Sequence, residues 1–255
     1  MDTSLNAKKF SLIRVPYASP DEIERSVDAV LAPILNRKTE MDFVLGSWRF
    51  AHVYREVIKP KYGIELIERA NLGMLGKAKV FGAFDPVRNC AWIDQIASPE
   101  SGHPRRTFVL WHEVIGHGVL QGDLLRAELH RCAEEAVLHD TTITLDDMTR
   151  ERLEIQANMA AGAAAAPRRL VLGALIHRLE SKRPIVFNGP NKYTIGRRIV
   201  EASSAWDLAL AAASQIQCAF DGLSKHCLAI RIMNSRYFFD NTETGHSRMR
   251  LYRSA

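Results

Sequence analysis

Apolar positions follow two rhythms along this chain, one of helical spacing and one of short runs separated by turn residues. The first helical rhythm follows Ser19-Pro20-Asp21-Glu22, which offers a capping serine, a proline at the first helical position and a glutamate three residues after the cap. Ile23, Val27, Val30 and Leu31 continue it, so a helix is predicted to start there. A second helical pattern runs from about Asp42 to Val57 through Phe43, Trp48, Phe50 and Val53, with Pro60 and Gly63 predicted to close it. Lys79 to Asp94 reads differently: Val80-Phe81-Gly82-Ala83-Phe84, the turn signal Asp85-Pro86, then Cys90-Ala91-Trp92-Ile93-Asp94 predict a β-hairpin. Thr107 to Leu120 and Arg150 to Ala166 predict two more helices, the second so rich in alanine that another backbone can approach it closely. Ala205 to Met233 is again helical, broken at Asp221-Gly222, with Ser224 placed to cap the next helix.

These elements predict an α+β fold in which helices pack on a small, mostly antiparallel sheet and a helical C-terminal region follows. Asn188-Gly189-Pro190-Asn191 is the best linker candidate. The expected organisation is therefore an N-terminal helical extension over 1–40, a core over 41–187 and a C-terminal region over 188–255. There is no internal repeat. The longest apolar stretches, Met159 to Ala166 and Leu170 to Ile176, fall short of the roughly 20 residues a bilayer span needs and are separated by Pro167, Arg168 and Arg169. The N-terminal stretch carries charges and Pro16 where a secretory signal needs an unbroken apolar core, so a cytoplasmic location is expected. Cys90, Cys132, Cys218 and Cys227 form no C-x-x-C pair and read as reduced core thiols. The net charge of +5 is mild, which leaves a nucleic-acid partner possible but not favoured, and no membrane partner is expected.

The specific chemistry centres on His112-Glu113-Val114-Ile115-Gly116-His117. In H-E-x-x-H the two imidazoles lie about 40° apart around a helix, so both reach one tetrahedral ion while the glutamate polarises the bound water. Here the histidines are five apart, or roughly 140° on a regular helix, so the backbone must widen locally. A single-turn π-bulge would absorb one residue, with Gly116 where an irregular backbone costs least. Losing one backbone hydrogen bond costs on the order of 1 kcal/mol, against on the order of 10 kcal/mol from zinc ligation. Further along, Glu154 and Asn158 share one helix face. Glu154 suits the third ligand, and Asn158 suits a partner for the far nitrogen of a ligating histidine. Tyr193 and His103 are the candidates for stabilising an oxyanion.

His112 to Leu120 followed by Glu154-Ile155-Gln156-Ala157-Asn158 and Pro167 resembles the ImmA/IrrE family of metallopeptidases, gluzincins that pair an HExxH helix with an E-x-x-A-N helix. The hairpin from Gly82 to Asp94, the lead-in Arg106-Thr107-Phe108-Val109-Leu110 and the tail from Ala219 to Ile232 are similar to further segments of that family, and the likeness runs from about Trp48 to Phe238. The extra residue before Gly116-His117 departs from it and matches instead the HExxxH helix of the dipeptidyl peptidase III family, although Cys132-Ala133-Glu134-Glu135 does not match that family's glutamate motif. The resemblance implies a zincin-like core, one Zn2+ per chain on His112, His117 and Glu154, and Glu113 as the general base of a peptidase. It also implies a protein substrate, such as a helix-turn-helix transcriptional repressor. Two other readings stand beside this one. In the first the same fold serves as a catalytically inactive binding module. In the second Ala205 to Arg236 forms a DNA-binding helix-turn-helix, with Lys225, His226 and Arg231 on its recognition helix.

Overall fold

Ser19 caps the first helix as its sequence requires. Its hydroxyl accepts the Glu22 amide at 3.3 Å, and the Glu22 carboxylate accepts the Ser19 amide at 2.7 Å. Helix α1 (Pro20–Leu35) then buries Ile23, Val27, Val30, Leu31, Ile34 and Leu35 along one face. This computed structural model describes residues 10–36, 48–97, 105–139, 142–220, 222–235 and 237–242. The chain is α+β, and it divides into two compact units, Met1–Val30 with Tyr54–Ala161 and Leu31–Val53 with Gly162–Ala255.

Helix α2 covers residues 50–62 and changes pitch within itself: an α turn Phe50–Val53, a π segment Tyr54–Ile58 and an α turn Lys59–Tyr62. Pro60 does not close it, because it falls in the first turn of the last segment, where a missing N–H costs little. Gly63 does, in the left-handed conformation at φ 63°. Of the expected second helix, residues 41–47 lie outside the described residues. Trp48 precedes the helix as an isolated bridge to Phe220, and its indole donates to the Ala164 carbonyl at 2.8 Å.

The first unit holds a three-stranded sheet of β2 (Glu65–Ala70), β6 (Cys90–Asp94) and β5 (Gly82–Asp85), in the order β2-β6-β5, with the small hairpin β3 (Met74–Leu75) and β4 (Ala78–Lys79) between β2 and β5 in sequence. β5 and β6 are the expected hairpin, and Asp85 shapes its turn by accepting the amides of Val87 and Arg88 at 3.0 and 3.1 Å. β2 joins β6 in parallel, so this sheet is mixed. Against β5 and β6 packs α3 (residues 106–139), an α turn Arg106–Trp111, a π segment His112–Gln121 and an α segment Gly122–His139. The strand β1 (Phe10–Leu12) lies parallel to β7 (Thr142–Thr144), and just after it Ile13 and Val15 are buried with Cys132 and with Leu153 of α4 (Asp147–Ala165). Arg152 and Gln156 of α4 donate to the carbonyls of Val15 and Pro16 at 2.7 and 2.9 Å.

In the second unit α5 (Arg168–Leu179) packs on α6 (Ala205–Ile216), which in turn packs on α7 (Lys225–Met233). β8 (Ile185–Phe187) pairs in parallel with β11 (Phe238–Asp240), while β9 (Asn191–Ile195) and β10 (Arg198–Ala202) form a hairpin. The expected linker, Asn188-Gly189-Pro190-Asn191, is a turn from β8 into β9 within this unit, with the Asn188 amide donating to the Tyr193 hydroxyl at 2.9 Å. Among the described residues no single helix is long and apolar enough to cross a membrane. Cys90 and Cys132 are buried as expected, Cys227 is half-buried, and Cys218 is exposed beside the Arg178 guanidinium at 3.2 Å.

Candidate metal centre

The five-residue spacing of His112 and His117 is carried by a backbone that closes its hydrogen bonds five residues apart, so the two rings come to the same side. Their Nε2 atoms are 3.0 Å apart, with ring centroids at 4.7 Å and planes crossed at 81°. The π segment runs ten residues, longer than the single-turn bulge the sequence suggests. Three of its residues meet fixed neighbours along that length. A Cβ on Gly116 would fall 2.7 Å from Ala157 Cβ and 2.8 Å from its Cα and carbonyl oxygen, and one on Gly118 would fall 2.7 Å from Ile64 Cδ1. Gln121 at its end donates to the Leu153 carbonyl at 2.9 Å. Gly116 is thus required for close approach to α4, and the alanine of α4 meets it there.

That approach brings in Glu154. Its carboxylate oxygens lie 3.2 Å from His112 Nε2 and 3.5 Å from His117 Nε2. Ligand atoms about 2.0–2.2 Å from one tetrahedral ion lie about 3.3–3.6 Å from each other; the two imidazole nitrogens are 3.0 Å apart, and Glu154 sets Oε2 3.2 Å from His112 and Oε1 3.5 Å from His117, close to the edges of such a site. The histidine side chains are 13% exposed and that of Glu154 52%, which leaves one open flank. Glu113 is 6% exposed, and its carboxylate, with the two rings, completes a group of ligand atoms within 4.8 Å of one another.

Electrostatics separates the two carboxylates. Burial pushes the Glu113 carboxyl up from its ordinary value, against the pull of His117 and His112. Hydrogen bonds from His112 and then His117 hold Glu154 well below the usual carboxylate range, so it stays ionised. Burial alone would lower His117, but the hydrogen bond to Glu154 and the charges of Glu113 and Glu154 outweigh it and raise the imidazole.

β5 forms the roof over Glu113. A Cβ on Gly82 would lie 2.6 Å from Glu113 Cγ, 2.7 Å from Oε1 and 2.8 Å from Val109 Cγ1, so only glycine leaves room for the carboxylate. β5 is also an edge strand. The Asp94 amide donates to the Phe81 carbonyl at 2.9 Å, which makes 81 and 94 a hydrogen-bonded pair, and the antiparallel alternation then turns the amides and carbonyls of Gly82 and Phe84 away from β6.

His112, Glu113, His117 and Glu154 therefore meet as the sequence suggests. Asn158 is exposed on α4, and the Nδ1 of His117 is met at 2.8 Å by Gln121 Oε1 instead. Gln121 escapes sequence reading because a single glutamine carries no motif; the available signal is its place four residues after the second histidine. Tyr193 spends its hydroxyl on Asn188 and Gly189 in its own turn, and His103 lies outside the described residues. His130, between the His112–His117 segment and Glu154, is exposed and pairs with Glu134. On α7, Arg231 donates through Nε to the Ala166 carbonyl at 2.9 Å, so it is committed within its unit, while Lys225 and His226 are exposed at the helix start.

No protein family and no curated protein matches this chain. Among solved structures it is similar to a Mycobacterium tuberculosis transcriptional regulator, with 17% identity and a TM-score of 0.35 over 62% of this chain and 47% of that one. The match thus spans about half the length of that regulator.

Proposed function

We propose that this chain is a zinc-dependent peptidase whose ion is held by His112, His117 and Glu154, with Glu113 as general base. The observation that carries this reading is the convergence at 3.0–3.5 Å of two Nε2 atoms, which a regular helix would hold apart and the π segment brings together, with the Glu154 carboxylate of α4. A divalent ion there would supply Lewis-acid polarisation of a carbonyl and acidify water. Glu113, buried and raised by that burial above its ordinary value, is suited to accept a proton from the attacking water on Oε1 or Oε2 and return it to the departing amine nitrogen. Gly82 and Phe84 offer outward amides and carbonyls on which an extended peptide can pair, which makes an unfolded segment of a protein the substrate class. A regulatory protein such as a helix-turn-helix repressor, which the resemblance implies, belongs to that class.

The test is metal content of the untagged chain by plasma mass spectrometry, for wild type and for His117→Ala and Glu154→Ala. About one zinc per chain, lost in both variants, is expected. With it should come hydrolysis of an unstructured protein such as casein that Glu113→Gln lowers by a factor of about 10²–10⁴ while keeping its zinc. A folded wild type that takes up no zinc overturns the reading.

A further inference from the structure

Gln121 is 3% exposed, and both ends of its amide are used. One end lies 2.9 Å from the carbonyl oxygen of Leu153 and the other 2.8 Å from Nδ1 of His117. A carbonyl oxygen only accepts, so the NH2 end must face Leu153 and Oε1 must face the ring. The reversed amide would bring two acceptor oxygens together with no proton between them, inside a buried site where an unmade bond is most costly. Oε1 in turn only accepts, so Nδ1 of His117 carries the proton. The charged ring also carries a proton on Nε2, which it donates to Glu154; with Nδ1–H held by Gln121, that is the proton the neutral ring lacks, and its lone pair is on Nε2, the nitrogen that faces His112 and Glu154.

We infer that Gln121 is the positioning residue of this centre: it fixes His117 in the Nδ1–H tautomer, so that Nε2 is presented as a lone pair to a divalent cation. The same amide tethers Leu153, the residue before Glu154, so one side chain orients the second ligand and anchors the backbone that bears the third. This rests on the metal reading proposed above. Partners of this kind contribute about 10–100-fold to metal affinity, because the unliganded ring need not change tautomer or turn before it binds.

Imidazole nitrogen shifts report the tautomer directly. In the full metal-free chain, 15N-labelled at histidine and titrated upward until the shifts show the His117 ring to be neutral, His117 is expected to show a protonated Nδ1 and a bare Nε2. Its signals are assigned by their loss in His117→Ala. In Gln121→Met, whose side chain has similar volume, a mixture of tautomers is expected, with zinc affinity lowered about 10–100-fold in competition with a chromophoric chelator. A wild-type ring protonated on Nε2 overturns the inference, and that measurement holds even if the methionine variant does not fold. Unchanged zinc affinity in a folded Gln121→Met removes the role of Gln121 and leaves the metal reading standing. A wild type that binds no zinc, yet loses its fixed tautomer in Gln121→Met, removes the metal reading and the cation from the inference and leaves the tautomer set by Gln121 standing.

Discussion

A methyl group on residue 82 would sit 2.6–2.8 Å from Glu113 and Val109, so the Glu113 side chain must shift to admit it. If the proposed zinc site and activity hold, Gly82→Ala is expected to bind zinc as the wild type does, since no proposed ligand is displaced, and to lose about 10²-fold in peptide hydrolysis, since a shift on the order of 1 Å in a reacting group costs about that much. Metal analysis and a hydrolysis assay on the same sample separate the two effects. A second residue-scale device is Asp94, fully buried, which accepts from the amides of Leu72 and Ile96 at 2.8 and 3.0 Å and from Lys79 Nζ at 2.9 Å. Burial would raise its carboxyl, but these donors outweigh burial and hold it below the ordinary range. Its folded pKa is depressed, so its contribution to stability is present above the unfolded value of about 3.9 and is lost as pH falls from there towards the folded value. Asp94→Asn is expected to destabilise the chain more at pH 7 than at pH 3. Denaturant titrations at both values check it, and an equal loss at both would remove the charge from the account.

At the scale of elements, several segments are legible in the sequence because each follows a local rule: the capping box before α1, the turn of Asp85-Pro86 between β5 and β6, the alanine run of α4. The length of the π segment is not, because it is set by neighbours from elsewhere in the chain, Ala157, Ile64 and Leu153, which no local pattern announces. Pro60 misleads for a similar reason: a change of pitch just before it opens a new first turn that tolerates proline. The edge of β5 makes a prediction of its own. An extended peptide bound there is expected to slow amide hydrogen exchange at Gly82 and Phe84, which face outward, and to leave Ala83 and Asp85, already bonded to β6, almost unchanged. Exchange followed by NMR with a non-cleavable peptide, or with substrate on Glu113→Gln, tests it; protection at none of the four would place the peptide elsewhere.

At the scale of the molecule, the stretch after β1 reaches helices more than a hundred residues later. Ile13 and Val15 are buried with Leu153, and the carbonyls of Val15 and Pro16 receive Arg152 and Gln156, on either side of Glu154. A sequence reading that treats residues 1–40 as an extension misses this, because two apolar residues and two main-chain acceptors carry no motif. Ile13→Ala, which touches no ligand, is expected to cost about 2–5 kcal/mol of stability and to weaken zinc binding with it, by loosening the wall behind Leu153. Denaturant unfolding and chelator competition on one preparation measure both. Stability lost with zinc affinity intact would show that the metal helix is held by its other contacts.

The seat of Gly116 on Ala157 bears on how such a chain can diverge. Neither partner can gain a side-chain atom unless the other gives way, and both are already near the smallest residue available. Lineages that inherit this centre should therefore drift at the exposed positions of α4, such as Ile155, long before they drift at 116 or 157. A glycine just before the second histidine, matched by an alanine three residues after the glutamate, would then mark common descent more reliably than the histidines, whose spacing changes with a single inserted codon.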